Sequence, residues 1–401
     1  MRRTTFARGR AIGMVAGLVA TAVAAGGAPA TATAGGSGAP EWEPTSVPAP
    51  DAILADVAGG TRAWGVGYSL AADGAHTFEP HAFRWSDGRW SENRTGGLPA
   101  GSRLDGVDTA GGDTWAVGQR QFTDPDRGDT AEAVAARWQG TRWETARLPL
   151  PPDPFTELRS IDVLPGGQAW AVGQRAGYEP DSVRGLVLHY DGNRWTSVPA
   201  PEGVGYISDV RAAGEDSVWI TADDRVGHWN GTAWTSRRFP EAAGERMSLS
   251  ALTGSGDGKL WAVGYVQEDS GVRKPVAFRF DGRAWTGVPM PESEGEAELA
   301  DVAITGADRA IAVGSASDGG PRGFYALDLS PGGARKAPVP GQDAGTDGSL
   351  TGIHASPAGL WTVGFTNDGG AAYLPVAARK PSQEPEEETP GPAEETPAPA
   401  R

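Results

Sequence analysis

A four-residue pattern, Trp-Ala-Val-Gly, returns along the chain at an interval that admits few folds. It stands as Trp64-Gly65-Val66-Gly67, Trp115-Ala116-Val117-Gly118, Trp170-Ala171-Val172-Gly173 and Trp261-Ala262-Val263-Gly264. Looser copies are Trp219-Ile220-Thr221-Ala222, Ile311-Ala312-Val313-Gly314 and Trp361-Thr362-Val363-Gly364. The 297 residues from Trp64 to Trp361 hold six intervals, a mean period of 49.5. That period is too long for a helical hairpin repeat and suits a unit of four strands.

The flanks of each copy fill in the unit. Upstream lies a short strand of Leu-x-x-Val type: Leu54/Val57, Leu104/Val107, Leu158/Ile161, Ile207/Val210, Leu249/Leu252, Leu299/Val302 and Leu350/Ile353. Downstream comes a strand of the form Ala-x-Arg-Trp, a turn, a further Trp and a Pro-x-Pro ending. Asp87-Gly88, Asp191-Gly192, Asn230-Gly231 and Asp281-Gly282 are residues of a two-residue hairpin with positive φ at both central positions. Four strands, A to D, therefore repeat seven times, and the expected fold is an all-β, seven-bladed β-propeller of antiparallel blades. The last unit runs out of chain before its strand D. Trp42-Glu43-Pro44-Thr45-Ser46-Val47-Pro48-Ala49-Pro50 parallels strand D of the third unit, Trp195 to Pro201, so the N-terminal strand is expected to complete the last blade and close the ring. The propeller is placed at 41–380.

The combination of Trp-Ala-Val-Gly, Asp-Gly-x-x-Trp and Val-Pro-x-Pro resembles the propeller repeats of secreted actinobacterial proteins, near the kelch and tectonin groups. Ser86-Asp87-Gly88-Arg89-Trp90 is also similar to the Asp-box of sialidases, although the leading Ser is missing from the other copies and sialidases have six blades. The resemblance implies an architecture and leaves the activity open.

The two ends have a different character. Arg2, Arg3, Arg8 and Arg10 precede the uncharged run Ala11 to Ala25, and Ala28-Pro29-Ala30 and Ala32-Thr33-Ala34 are small-residue cleavage patterns. Residues 1–34 read as an export signal, with 35–40 a linker and the mature start near Gly35. The apolar run is shorter than the roughly 20 residues needed to span a bilayer, and no later stretch is long enough, so no membrane insertion is expected after signal removal. General secretion fits better than the twin-arginine route, since Phe6 stands one place late. Residues 381–401 carry six Glu and six Pro and no large apolar residue, the composition of a disordered acidic tail.

Composition removes several functions. With no Cys there is no disulfide, thiolate metal site or cysteine nucleophile. A formal charge of −16, which becomes −20 without the four arginines of the signal, argues against a nucleic-acid partner. The tryptophans recur at fixed repeat positions and so read as blade packing, not as a sugar platform. His189 and His228 occupy the place of Arg84, Arg137, Arg279 and Arg379 in other units, which makes them interchangeable polar groups.

Loop lengths locate the candidate site. The A–B and C–D connections are short. The B–C and D–A connections are long, unlike each other and on one face of the disc, where binding usually resides. The residues after each tetrapeptide, Tyr68, Gln119, Gln174, Tyr265, Ser315 and Phe365, are expected to point toward that face, with Arg120 and Arg175 beside the two Gln. Aromatic, amide and guanidinium groups around a shallow channel suit an extracellular glycan or a protein. The expectation is a secreted, monomeric, non-catalytic binding module without cofactor or metal. The alternative is a glycoside hydrolase or lyase using carboxylates such as Asp73, Glu79, Asp124 and Glu179. His76 to His81, and Asp124, Asp126 and Asp129, are weaker metal candidates that lack the spacing of known sites. Arg127-Gly128-Asp129 reads as a chance adhesion tripeptide, and Glu292, Glu294, Glu296 and Glu298 as a solvated acidic run.

Overall fold

The computed structural model describes residues 41–382 except 72–77, 94, 180, 240–245, 255–257, 293–294, 344 and 371. The expected signal and linker, the tail beyond Ser382, and Asp73, His76 and Glu294 lie outside the described residues. Among the described residues the chain forms 28 strands and no helix. No helix of the described residues is long and apolar enough to cross a membrane.

The strands assemble as four-stranded antiparallel units in chain order. Five are separate sheets, and two join into an eight-stranded sheet where Phe155 pairs with Ala131. In the first unit the order is Ile53–Gly59, Ala63–Leu70, Phe78–Ser86 and Arg89–Glu92. The inner strands of the other units are Ser102–Ala110, Phe155–Val163, Ile207–Gly214, Arg246–Gly254, Glu296–Gly306 and Asp347–Ser356. Each inner strand touches the next, and Asp347–Ser356 also touches Ile53–Gly59.

The Leu-x-x-Val spacing has a structural cause. Leu and Val three apart would face opposite sides of a regular strand, yet Leu104 and Val107 are both buried. A bulge between them reconciles the two. The register skips one residue in every inner strand: Ala55, Asp105, Arg159, Ser208, Ser250, Ala300 and Thr351. The bulge also explains the glycine of the tetrapeptide. A Cβ on Gly173 would stand 2.0 Å from the Glu157 carbonyl oxygen, and one on Gly264 2.0 Å from that of Ser248.

Tryptophan locks unit to unit. Trp64 sits against Trp138 and Trp143 of the following unit, with ring centroids 4.9 and 5.2 Å away. Trp115 meets Tyr190 and Trp195 at 5.0 and 5.2 Å. Trp361, in the last unit, meets Trp85 and Trp90 of the first at 4.9 and 5.1 Å. The Arg/His exchange in the third strand follows from the same ring: Arg84 lies over Trp64, while His189 and His228 stack on Trp170 and Trp219 at 4.4 and 4.1 Å.

The turns depart from the sequence expectation. Only Asp87-Gly88 has positive φ at both positions, 51° and 76°. The connections at Asp191, Asn230 and Asp281 are four residues long, with Tyr190 paired to Trp195 in the first case. There the side-chain oxygen accepts the backbone N–H groups two and three residues on, at 2.8 Å each for Asp191 and Asp281. Those bonds hold both carboxyls below the usual range.

Glu43–Thr45 pairs with Leu374–Pro381, Thr45 opposite Ala377. Trp90 donates to Thr45 Oγ1 at 2.9 Å, and Trp42 donates to the Pro338 carbonyl at 2.9 Å from a mostly buried position beside Ala303 and Phe324. Trp42→Ala should cost about 3–5 kcal/mol, as for other buried tryptophans. An unchanged urea midpoint would show that this segment is no part of the cooperative unit.

Buried carboxylates staple the inner strands. Asp56 accepts from Val57 N at 2.7 Å and from Val107 N of the next unit at 2.9 Å. Asp209 does the same with Val210 and Leu252, and Asp301 with Val302 and Ile353. Burial is the main cause that pushes Asp56 up to about 7, Asp162 to about 8 and Asp209 to about 6, and it raises Asp301 as well. Folded carboxyls thus keep protons that the unfolded chain has lost above about pH 5, so stability falls as pH rises through the folded values. Burial lowers His189, His228 and His354, which subtracts stability only below about pH 6.5. Between about pH 7.5 and 9 the carboxyls, Asp162 above all, act without the histidines, and chemical denaturation should show a decline on the order of 1 kcal/mol. A flat profile there would mean that these carboxyls are ionised in the fold.

Candidate functional site

Strand direction sets which residues meet where. Inner strands begin at the long connections, so their first residues and their bulged residues stand at that end of the array. In the second, third and fourth units these are Arg103, Asp105, Glu157, Arg159 and Tyr206. Arg103 Nε donates to Asp105 Oδ2 at 3.0 Å and a terminal nitrogen stands 4.0 Å from Glu157 Oε2. Arg159 reaches Asp105 Oδ1 at 3.4 Å and lies 5.8 Å from the Tyr206 ring centre. Gln174 donates to Glu157 Oε1 at 3.0 Å. Arg103 also lies over Tyr68 and Phe78, at 5.5 and 5.4 Å.

The Arg159 side chain keeps 30% of its surface exposed, while Asp105 and Glu157 keep 9%. Tyr206 and then the carboxylates of Asp105 and Glu157 raise Arg159 beyond its ordinary value, so it is permanently charged. Burial raises the Tyr68 and Tyr206 hydroxyls, which stay protonated at neutral pH.

The expected ring of residues after the tetrapeptides divides. Gln119, Gln174 and Ser315 are buried at 4%, 7% and 1% exposure, so they do not point into solvent. Gln174 and Ser315 stand directly across from Glu157 and Glu298 in the register and bond to them, at 3.0 and 3.5 Å. Tyr68, Tyr265 and Phe365 are half-buried: Tyr265 lies under Arg273 at 4.6 Å, and Phe365 packs edge-on to Tyr373 at 5.4 Å. Arg120 pairs with Glu132 at 2.9 Å and covers Phe122. Arg175 pairs with Asp153 at 2.8 Å beside an off-axis cleft of about 260 Å³ lined by Leu150, Pro151 and Pro199.

A second ionic network stands on the same face. Glu296 and Glu298 belong to an inner strand and are half-buried against Arg273 and Arg322, with Arg322 at 2.8 and 3.0 Å from them. Those two members of the acidic run are therefore paired, not solvated, a difference caused by strand formation where a loop was expected. Glu292 is exposed.

Of the carboxylates of the hydrolase alternative, the three among the described residues do not share a set of contacts. Glu79 and Glu179 are exposed, and Asp124 caps a turn by accepting from Asp126 N and Arg127 N at 2.9 Å. His81 is held between Ser69 and Glu92, at 3.0 and 3.1 Å. No group of three metal-ligating side chains occurs among the described residues. Three large apolar side chains are conspicuously exposed, Leu70, Tyr178 and Leu374, and all sit at the ends of long connections.

Arg103, Asp105, Glu157, Arg159 and Tyr206 were not singled out by the sequence reading. The signal was present in the three-residue spacing, which implies a bulged residue, and in the charge of its occupant where other units have Ala, Ser or Thr.

No protein-family model matches the chain, and no curated protein is similar to it in sequence. Solved structures do resemble it. YCF48 bound to D1 peptide is 15% identical, with 86% of this chain and 98% of that one covered and a TM-score of 0.51. An ulvan lyase of polysaccharide lyase family 25, bound to -[GlcA(1-4)Rha3S]-, is 11% identical over 86% and 94%, with a TM-score of 0.50. The extracellular domain of BT4673 from B. thetaiotaomicron, described as a putative hybrid two component system, is 11% identical over 84% of this chain and 39% of that one, with a TM-score of 0.51. At such identities the likeness is one of fold, and the fold is an all-β, propeller-type array of four-stranded antiparallel sheets.

Proposed function

We propose that this chain is a secreted, seven-bladed β-propeller, closed by Glu43–Thr45, that binds an extracellular glycan or protein through the long-connection face and catalyses no reaction. The observation that carries the reading is the gathering, on that one face, of the Arg103–Asp105–Glu157–Arg159 network, its tyrosines and the three exposed apolar side chains. The contact of the last inner strand with the first supports closure. Tyr68, Tyr265, Phe365, Arg120 and Arg175 form the outer part of the site, while Gln119 and Gln174 act from beneath it.

Propeller-type neighbours are named with a peptide in one case and a carbohydrate in the other, so the scaffold suits either ligand. The hydrolase or lyase reading is weaker because Asp105, the carboxylate beside Glu157, already has Arg103 on one oxygen and Arg159 on the other. The buried tyrosines are also shifted away from the low pKa that a tyrosine base needs. The charged start of the chain and the extracellular neighbour favour export, with a mature N-terminus near Gly35.

Thermal shift of the exported protein against glycans and peptides tests the reading. A ligand at about 100 times its Kd should add about 2.7 kcal/mol of stability, and Tyr206→Ala or Tyr265→Ala should abolish the shift. Turnover of a polysaccharide, or a ligand indifferent to every residue of this face, would overturn it.

A further inference from the structure

Glu157 and Arg159 lie on one bulged strand, two residues apart, and do not pair with each other. Glu157 Oε1 is taken by Gln174, but the nearest cation to Oε2 is 4.0 Å away, beyond a hydrogen bond. Arg159 has five N–H donors; it makes a single carboxylate contact of 3.4 Å, to Asp105, and one bond to the Tyr206 hydroxyl, which leaves further donors. An acceptor and a donor with unused capacity thus stand side by side at the axial mouth, flanked by Tyr206 and Tyr68.

The charge count limits what can use them. Arg103 and Arg159 are balanced by Asp105 and Glu157, and the whole chain carries −16. An anionic ligand would place a third negative charge beside two carboxylates and approach through a repulsive field. A sugar hydroxyl adds no charge and both donates and accepts. One hydroxyl of a vicinal diol can donate to Glu157 Oε2 while its neighbour accepts from Arg159, and the apolar face of the sugar ring can lie on a tyrosine.

Resting on the binding reading above, we propose that this mouth takes an uncharged glycan end-on, a vicinal diol bridging Glu157 and Arg159. The probes are neutral hexaoses of glucose, mannose, galactose and N-acetylglucosamine, set against oligogalacturonate, a sulfated oligosaccharide and a poly-glutamate peptide. Each is titrated calorimetrically into the exported protein at about 50 and about 500 mM salt, on either side of effective screening. A neutral hexaose should bind with an affinity that changes less than about twofold with salt. Arg159→Met and Glu157→Gln should each weaken it by about tenfold or more. Arg159→Lys keeps the charge in the passage and should weaken it too, which guards against a packing defect in the Met variant.

Binding restricted to the acidic probes, falling with salt and weakened by the same variants, would overturn the uncharged-glycan assignment while leaving a binding face in place. A neutral ligand indifferent to Glu157 and Arg159 would overturn the diol bridge. Absence of binding by every probe would count against both this inference and the reading on which it rests.

Discussion

One steric condition recurs in six of the units, the fourth having Ala222 in its place: a carbonyl oxygen of the inner strand stands where the second strand's Cβ would be. At Gly173 and Gly264 the clearance is 2.0 Å, which no side chain accepts. The condition exists because the inner strand carries one residue more than its partner. That extra residue puts both Leu158 and Ile161 into the core and leaves Arg159 unpaired against the axis. Packing on one side and a lining residue on the other come from the same bulge. The glycine of the repeat and the chemistry of the mouth are two consequences of it.

The rest of the architecture is assembled from interactions that reach one unit forward. Trp115 needs Tyr190 and Trp195 of its neighbour to bury its ring, and Asp56 needs Val107 of its neighbour to satisfy its second oxygen. A single unit would expose an indole and strand a carboxylate, so the units are stable only in company. The last tryptophan, Trp361, finds its two partners in the first unit.

Much of this was legible in the sequence, because the positions repeat. A residue that returns every 49.5 positions must solve the same packing problem each time, and the stacking of Arg84 or His189 on a strand-B tryptophan shows why two side-chain types serve one place. The turns were legible in kind but not in length: Asp191-Gly192 and Asp87-Gly88 look alike, yet only the second closes in two residues. The site was not legible for the opposite reason. Gln174 occupies the place of Tyr68 in the repeat, and the expectation that both face the ligand assumed a regular strand end. Gln174 instead stands directly across from Glu157 and spends its amide on that buried carboxylate. A site made from the unrepeated members of repeated positions leaves no periodic trace.

The two ends of the axis then differ in how their charges are spent. At the short-turn end the inner strands finish in Asp108, Asp162 and Arg211. There Asp108 accepts from Val163 N at 2.7 Å, and Asp162 accepts from Arg211 at 2.9 Å and from Ala212 N. Each carboxylate is committed to joining units. At the long-connection end the charges are as numerous and as deeply placed, but Glu157 and Arg159 stay uncommitted to each other. Burying charge is costly unless every group is partnered, and it is at the long-connection end, where the proposed site lies, that bonding capacity is left unused.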